Sequence, residues 1–400
     1  MGIKAKIANW LDPAREERAI SSRDPSLAPL MGGYAGFHGQ LVTHHTAQQL
    51  STVLACVQTI SSAVASLPAF VYRRDGSGRV AVTDHPVAEM ITSGPNVHQT
   101  WPDFAEWLVA STLLRGNGLV EVVADRRGRV SELRSVPWDW TAVNLLPNDR
   151  LTYDVSQYTS IYGGTGRTRR LLQSEVLHLR DRTDDGLIGR SRLQRAGMVF
   201  SAALSTQEFA GQMYANGINP SGVLELEGKL DQEGRQALAR NFRDAMSGAD
   251  KAGKALILDQ GLKWKQMSIN PEDAELLAAR RFTTEELARI FQVPPPLVGI
   301  WDHSSFTNSE TAGRWFAQHT LQPWIRKIET AFHRSVFTED ERGTYEIEID
   351  LSGFMRGDYA ARWQAHKIAI EAGILTTDEV REIEGWSPAQ QQLDSGGEDG

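Results

Sequence analysis

The stretch from Asn270 to Phe337, NPEDAELLAARRFTTEELARIFQVPPPLVGIWDHSSFTNSETAGRWFAQHTLQPWIRKIETAFHRSVF, holds two helical patterns joined by a run of prolines. Asn270-Pro271 reads as a helix start, an N-cap residue followed by proline at the first helical position. Glu272, Asp273 and Glu275 place negative charge on the positive end of the helix dipole, and Arg289 sits near the other end. Leu276, Ala279, Thr283, Leu287 and Ile290 recur at helical spacing, which predicts a helix over 270–293 with one mostly apolar face. Val293-Pro294-Pro295-Pro296 ends it, because each proline lacks an N–H and disfavours the α region for the residue before it. Leu297 to Phe306 is then expected to be a short exposed loop carrying Trp301, His303 and Phe306 among small and polar residues. Thr307-Asn308-Ser309-Glu310 has the spacing of a capping box and opens a second helix. Leu321, Ile325, Ile328, Phe332 and Val336 mark its buried face. Pro323 falls inside that pattern and is expected to kink the helix or divide it in two, at a cost of about 3 kcal/mol if the bend serves nothing. By pattern alone, this is a helical hairpin of an ordinary core.

Outward from this stretch, the chain alternates between helical and strand patterns. Met1 to Thr43 mixes charges with Pro25, Pro29 and Gly32-Gly33, and reads as an irregular arm with a short helix near Ile3 to Leu11. Thr46 with Gln49 has capping-box spacing, and Leu50, Val53, Leu54, Val57, Ile60, Val64 and Leu67 predict an amphipathic helix ending at Pro68. Phe70, Tyr72, Val80 and Val82 alternate around Asp75-Gly76-Ser77-Gly78, a hairpin signal. Thr100-Trp101-Pro102-Asp103 begins a helix stopped by Gly116-Asn117-Gly118. From Leu119 to Arg180, short alternating runs broken by Arg127-Gly128, Pro147-Asn148-Asp149 and Gly163-Gly164 predict antiparallel hairpins. Ser191 to Asn216 is helical, with Val199, Ala202, Ala203, Gln207, Ala210 and Tyr214 on one face and Gly217 as its C-cap glycine. Pro220 to Met267 reads as strand (Val223–Leu226), helix (Asp231–Met246), strand (Ala255–Leu258) and strand (Lys263–Met267). Tyr345 to Leu351 alternates as a strand, Asp358 to Glu371 and Thr377 to Glu384 are helical, and Ala389 to Gly400 is rich in Gln, Gly and acids, the composition of a disordered tail. No internal repeat is visible. The fold class is α+β.

Four hundred residues exceed one compact core and imply two or more regions. A single cysteine, Cys56, excludes an internal disulfide and any cysteine-cluster zinc site, and its apolar helical surroundings make it a buried small hydrophobe. The N-terminus MGIKAKIANWL lacks a signal-peptide core, Lys6 stands where myristoylation needs Ser or Thr, and no run approaches the ~20 apolar residues of a membrane span. The expectation is a soluble chain made in a cytoplasm, with no membrane partner. Charge is uneven: Thr338 to Gly400 holds 15 acids and 5 bases, while the whole chain is −8. A basic face of the kind that grips DNA is not visible in the sequence. A smooth passage for DNA remains compatible with this, since each phosphate firmly neutralised adds salt-sensitive affinity that a conduit avoids.

Several stretches together carry a resemblance to a known family. PEDAELLAARRFTTEELARIFQVPPPLVG, SSFTNSE and TLQPWIRKIE are preceded by DGLIGRSRL, FAGQMYANGINPSGVLELEG and KALILDQGLKWKQMSINPEDAE, and followed by IDLSGFMRGDYAARWQAHKIAIEAGILTTDEVREIEGWSP. In this order and spacing they resemble the portal proteins of tailed bacteriophages, HK97-like family, also used by prophages and gene-transfer particles. The resemblance covers roughly Ala47 to Pro388. It implies an N-terminal arm (1–43), a wing of helices and antiparallel sheet (44–190), a first stem helix (191–217), a small α/β clip (218–269) and a second stem helix (270–293). A tunnel loop (294–309), a long kinked wing helix and strand (310–357), a short helical crown (358–388) and the acidic tail (389–400) complete it. It further implies a ring, typically of twelve subunits, at one capsid vertex of the virion, assembled in the host bacterial cytoplasm. Double-stranded DNA would pass through it weakly and without sequence preference, and its partners would be the large terminase subunit, the head-tail connector or adaptor, and the major capsid protein. No cofactor and no catalysis are implied. On this reading, Trp301, His303, Ser304, Ser305, Phe306 and Thr307 face DNA, with Trp301 either packed under the loop or anchoring it. Pro294, Pro295 and Pro296 form a hinge, and Asp231, Arg235, Arg240, Arg243, Lys251 and Lys254 lie on the docking face of the clip.

Other motifs point elsewhere but are incomplete. Gly163-Gly164-Thr165-Gly166-Arg167-Thr168 fails as a phosphate loop, since Arg167 replaces the lysine and Ile161 the first glycine, and it reads as a hairpin turn. Asp181, Thr183, Asp185 and Gly186 have the spacing of half a calcium loop, but position twelve is Arg192 instead of glutamate. The histidines, His38, His44, His45, His85 and His98 among them, form no zinc-protease pair, and no Gly-x-Ser-x-Gly elbow occurs. Two other readings stay open: a metal-assisted hydrolase using Asp181, Asp184 and Asp185, and a scaffold or adaptor ring that carries no DNA.

Overall fold

The computed structural model describes residues 34–35, 41–76, 78–156, 168–215, 222–226, 262–266, 272–300, 306–352 and 359–384. Outside these lie the short helix expected near Ile3, the Gly163-Gly164 turn, the helix expected over Asp231–Met246, the strand at Ala255–Leu258, Trp301 to Ser305 and the acidic tail. The architecture is α+β, and among the described residues every strand pair is antiparallel.

The end of the stretch expected to be an irregular arm is structured. Strand β1 (Tyr34–Ala35) pairs with β2 (Leu41–Val42), and Leu41 and Val42 are buried. A capping box follows, formed by Thr43 and Thr46 instead of the expected Thr46 and Gln49. It opens a single turn, α1 (His44–Ala47), and the main helix α2 (Ser51–Ala65) starts afresh after Leu50. Thr46 is already committed, since its hydroxyl also donates to the Leu41 carbonyl at 2.7 Å. Along α2, Val53, Cys56, Val57, Ile60 and Val64 are buried, whereas Leu54, included in the expected stripe, points outward.

The hairpin of β3 (Ala69–Asp75) and β4 (Gly78–Ala81) forms as expected, and β13 (Tyr345–Ile349) joins it on the other edge of β3. Ala69, Val71, Ile347 and Ile349 face inward, while Phe70 is exposed on the outer face with Arg79 and Glu348; Val80, opposite Arg73, lies on the Val71 face at its exposed end, so it does not share a face with Phe70. Helix α3 (Pro86–Ser93) follows, with the His85 side chain accepting from the Val87 amide at its start. Helix α4 (Trp101–Arg115) is the element most fully specified by local chemistry. Thr100 and Asp103 form a capping box, Pro102 lies in the first turn, and Gly116 closes the helix at φ 80°. A side chain at Gly116 would also collide with the Ser191 backbone nitrogen at 2.6 Å.

Strands β5 (Asn117–Ala124), β6 (Val130–Val136) and β10 (Val176–Arg180) form a sheet buried on both faces. Val120, Leu133, Leu177 and Leu179 turn toward the main helical core. Leu119, Val136 and Val176 turn the other way, into a smaller core with Tyr153 and Leu171. That smaller core is covered by β7 (Thr141–Leu145), β8 (Leu151–Ser156) and β9 (Thr168–Leu172). Arg169 on β9 clamps buried Glu121 on β5 through two hydrogen bonds of 2.8 and 2.7 Å, pinning one sheet to the other.

The helix expected over Ser191–Asn216 is divided at Ala196 into α5 (Arg192–Arg195), capped by Ser191, and α6 (Gly197–Ala215). Phe200, Ala203, Leu204 and Ala210 are its buried apolar side chains among the described residues, and Ser201 is buried beside them, so the packed face is rotated from the expected one and Ala202 is exposed. Two short strands, β11 (Gly222–Leu226) and β12 (Leu262–Gln266), pair over their full lengths. Helix α7 (Glu272–Phe291) enters the main core with Leu287, Ala288 and Phe291. Helices α8 (Phe306–Phe316) and α9 (Gln322–Ser335) follow, and α10 (Tyr359–Glu371) and α11 (Thr377–Ile383) end the described chain. Leu321, Ile325, Ile328, Phe332 and Val336 are all buried, as their spacing requires. Among the described residues, no helix is long and apolar enough to cross a membrane.

Candidate functional site: the proline turn and the helices that brace it

Helix α7 ends at Phe291, whose ring is fully buried. Gln292 then takes φ 60°, a left-handed conformation that a non-glycine residue holds only when its surroundings fix it. Two backbone hydrogen bonds close the end, Gln292 N–H to the Arg289 carbonyl and Val293 N–H to the Ala288 carbonyl, each 3.0 Å. Buried Val293 brings the chain to Pro294.

The prolines do not form an open loop. Pro295 to Val298 make one tight 3-10 turn that Pro294 initiates. Leu297 N–H donates to the Pro294 carbonyl and Ile300 N–H to the Pro295 carbonyl, both at 3.0 Å, and Gly299 ends the turn at φ 82°. Leu297 and Val298 pack against the main core. The expected loop is therefore shorter at its start, because proline φ angles suit a 3-10 turn and two apolar residues have a core to enter. It is also shorter at its end. Phe306 and Thr307, expected as loop residues, have helical backbone at the start of α8, so the capping box expected at Thr307 does not open the helix. Once Phe316 and Ala317 anchor the later turns in the core, the helix propagates back through the polar residues before them. Trp301, His303, Ser304 and Ser305 lie outside the described residues, as do Asp231, Arg235, Arg240, Arg243, Lys251 and Lys254.

Pro323 divides the second helix in the manner its position demands. Between α8 and α9, Ala317 to Leu321 form a π-turn, and Pro323 lies in the first turn of α9. Proline has no N–H for the carbonyl four residues back and its ring crowds it, and a widened turn relieves both. This turn carries Thr320, which is buried and donates its hydroxyl proton to the Gln292 carbonyl at 2.5 Å. The widened turn of one helix thus holds the left-handed end of the other.

Arg192 supplies a second brace. Its Nη1 donates to the Ile290 carbonyl at 3.2 Å, at the negative end of α7, and its Nε donates to Asp181 Oδ2 at 3.2 Å. Its guanidinium lies 5.8 Å from the Phe291 ring centre and 5.9 Å from that of Trp324. One side chain therefore joins α5, the loop after β10, α7 and α9.

The carboxylates weighed as a calcium or hydrolase site have other employment. Asp181 is buried, pairs with Arg192 and accepts the Arg182 amide at 2.8 Å. Asp184 lies 2.7 Å from Arg195 and 3.2 Å from Arg190, which hold its carboxyl below the usual range. Asp185 accepts the Ile188 and Leu187 amides, which likewise lower it. Three carboxylates turned toward arginines and amides hold a loop in shape, and the residue that spoiled the calcium pattern, Arg192, is the loop's organising cation. Among the described residues, no group of three or more His, Cys, Asp or Glu is placed to hold a metal ion.

The same loop is seated on a buried polar chain. Asn117 exchanges hydrogen bonds of 2.8 Å with both the Gly189 carbonyl and amide. His178 Nε2 lies 2.9 Å from Asn117 Oδ1, and its Nδ1 lies 3.0 Å from the Tyr153 hydroxyl. Asn117 Oδ1 accepts, so the proton belongs on Nε2 and Nδ1 is the acceptor. Burial, with the Arg180 charge beside it, lowers the His178 pKa to about 3. The sequence signal for these braces was present only as isolated residue types, since each acts across a long separation in the chain.

The phage portal protein family model matches residues 51–385. A probable portal protein of Streptomyces phage phiC31 is 30% identical over 393 residues, covering 94% of this chain and 83% of the relative. The portal protein of Enterobacteria phage HK97 is 29% identical over 349 residues, covering 85% and 79%. Among solved structures, a chain from the neck of a native gene transfer agent particle, computed with C12 symmetry, has a TM-score of 0.57 at 22% identity and covers 92% of this chain and 100% of its own.

Proposed function

The chain belongs to the phage portal protein family, and on that footing we propose that it is one subunit of a closed ring at a single capsid vertex, through which double-stranded DNA enters and leaves. The observation that carries this reading is the match over 51–385, which takes in both helices of the decisive stretch and the turn between them. The family's part in a particle is structural. ATP hydrolysis for packaging then belongs to the terminase that docks on the ring, and this chain supplies geometry.

In that reading, α6 and α7 are stem helices around the bore, and β11 and β12 belong to the clip. Asp231, Arg235, Arg240, Arg243, Lys251 and Lys254 present the clip to terminase and later to the head-tail connector. Trp301, His303, Ser304, Ser305, Phe306 and Thr307 reach the bore, where Ser304, Ser305 and Thr307 offer weak phosphate contacts that carry no sequence preference. The Pro294-Pro295-Pro296 turn is the hinge that lets this loop shift against braced helices. Twelve copies, as in the C12 neck to which the chain is similar, make the ring. Head-to-tail contacts in such a ring bury faces that a lone subunit leaves open, Phe70 on the outer sheet face among them.

Negative-stain imaging and mass measurement of the purified chain, alone and co-expressed with capsid and terminase proteins, test this reading. Closed rings are expected. A monomer under every one of those conditions overturns it. Packaging that survives replacement of Ser304, Ser305 and Phe306 would favour a scaffold or adaptor ring that carries no DNA.

A further inference from the structure

A cavity of about 620 Å³ opens between β10 and α9. Arg180 and Arg182 line one wall, and Arg326, Lys327 and Arg334 line the other. Half-buried Ala331 contributes apolar surface, and buried Tyr153 and Val176 back the wall. A second cavity of about 280 Å³ shares Asp181, Arg182 and Lys327 with it and adds Arg192 and Arg195. The sequence shows no basic run because the two walls come from segments far apart in the chain; folding makes the basic surface.

What sets this cleft apart is which of its cations are already neutralised. Arg192 and Arg195 pair with Asp181 and Asp184, and Arg326 lies 3.6 Å from Glu329. Arg180, Arg182, Lys327 and Arg334 form no ion pair among the described residues. Two of them are held in place by neutral acceptors. Arg180 Nε donates to His178 Nδ1 at 3.1 Å, and Lys327 Nζ donates to the Arg180 carbonyl at 3.1 Å. Neutral acceptors orient a cation without cancelling its charge. Crowding by protein atoms lowers the Lys327 ammonium pKa, an effect that Asp181 opposes. The chain as a whole is acidic, at −8, so four cations without ion-pair partners among the described residues, in a concavity whose one carboxylate, Asp181, is paired with Arg192, stand against its general balance. Walls of low dielectric concentrate their field in the cleft.

We propose that this cleft is a docking site for an acidic, extended polypeptide segment, whose Asp or Glu side chains meet Arg180, Arg182, Lys327 and Arg334. The shape favours a peptide over nucleic acid. The volume lies within the ~300–1,000 Å³ of pockets that enclose their ligands, and an extended chain advances ~3.3–3.6 Å per residue, so a few residues fill it. A duplex presents its phosphates on a convex surface and would touch only the rim. The site lies on one subunit, uses none of the residues proposed to face DNA or terminase, and goes beyond the ring reading.

Fluorescence anisotropy on the full-length chain tests this, with a labelled peptide of alternating Glu and Gly residues as the probe. Saturable binding that weakens as salt is raised is expected. Arg182→Glu and Arg334→Glu, both at exposed positions, should each weaken it at least ~10-fold. Arg150→Glu, on a hairpin turn that does not line the cleft, should change it less than ~2-fold. Thermal unfolding of each variant separates lost binding from lost fold. Absence of binding, or binding that all three variants weaken alike, overturns the proposal. A duplex oligonucleotide that displaces the peptide and binds more tightly, with the same dependence on Arg182 and Arg334, overturns it in favour of nucleic acid.

Discussion

Thr320 donates its hydroxyl proton to the main-chain carbonyl of Gln292 across a 2.5 Å gap, joining the π-turn between α8 and α9 to the left-handed end of α7. Both partners sit where the backbone departs from ordinary geometry, and each departure needs the other. Thr320→Val keeps the shape of the side chain but removes the donor, and should cost about 1–2 kcal/mol. Thr320→Ser retains the hydroxyl and should recover most of that. Urea unfolding midpoints of the two variants check this; equal midpoints would show that the hydrogen bond contributes nothing.

Arg192 and Asp181 provide a sharper case, because both side chains are largely shielded from water, at 14% and 10% exposure. Arg192→Met leaves the Asp181 carboxylate buried without its partner and frees the Ile290 carbonyl, and should cost about 3–5 kcal/mol. Adding Asp181→Asn removes the stranded charge, so the double variant should be less damaged than the sum of the two single changes. A double-mutant cycle by denaturant unfolding measures that difference, and strict additivity would show the two residues to be uncoupled.

How much of this was legible in the sequence depends on how local the cause was. Helix α4 was readable at both ends, because Thr100, Pro102, Asp103 and Gly116 act on their own backbone. The buried face of α9 was readable because its large apolar residues leave no second choice of stripe. On α6 the small residues lie on several sides, so periodicity could not orient it, and Phe200 with Leu204 settled the matter through packing. The break after α1 escaped because Thr46 is diverted to the Leu41 carbonyl, a contact outside the helix. The proline turn was legible as a stop but not as a packed 3-10 turn, since Leu297 and Val298 needed a core supplied by other elements. Asp181, Asp184 and Asp185 suggested a metal by spacing alone, and the arginines that claim two of them were visible only once the chain had folded.

His178 makes a prediction about pH. Its pKa falls from an ordinary 6.5 to about 3, first through burial and then through the Arg180 charge. As pH drops below 6.5 the unfolded chain takes up this proton while the folded chain does not, so acid favours unfolding. Stability should therefore decline from about pH 6.5 toward pH 3, by on the order of 1 kcal/mol per pH unit from this residue. His44, lowered to about 4 chiefly by burial, adds in the upper part of the same window. Urea midpoints at about pH 7.5, 6 and 5 measure the slope. His178→Gln, which keeps an amide donor for Asn117, should be less stable at neutral pH and show a shallower slope. An unchanged slope would mean that His178 does not govern the decline.

The hinge proposal turns on Pro295 and Pro296, and their surroundings allow it to be tested without dismantling the fold. The turn is held by the Ile300 and Leu297 amides donating to the Pro295 and Pro294 carbonyls, and replacing Pro295 and Pro296 with alanine leaves all four groups in place. What alanine removes is the lock on φ, which frees the unfolded chain and should cost about 0.4–1 kcal/mol at each position. The double variant Pro295→Ala with Pro296→Ala should therefore fold and form rings in normal number. In those rings the turn is free to leave its 3-10 geometry, so the loop beyond it is no longer held at one distance from the bore, and particles should carry less DNA. Ring counts by negative stain and DNA content per particle separate the two effects. Normal filling in intact rings would remove the hinge while leaving the family assignment standing, whereas loss of the rings would show the prolines to be needed for assembly itself.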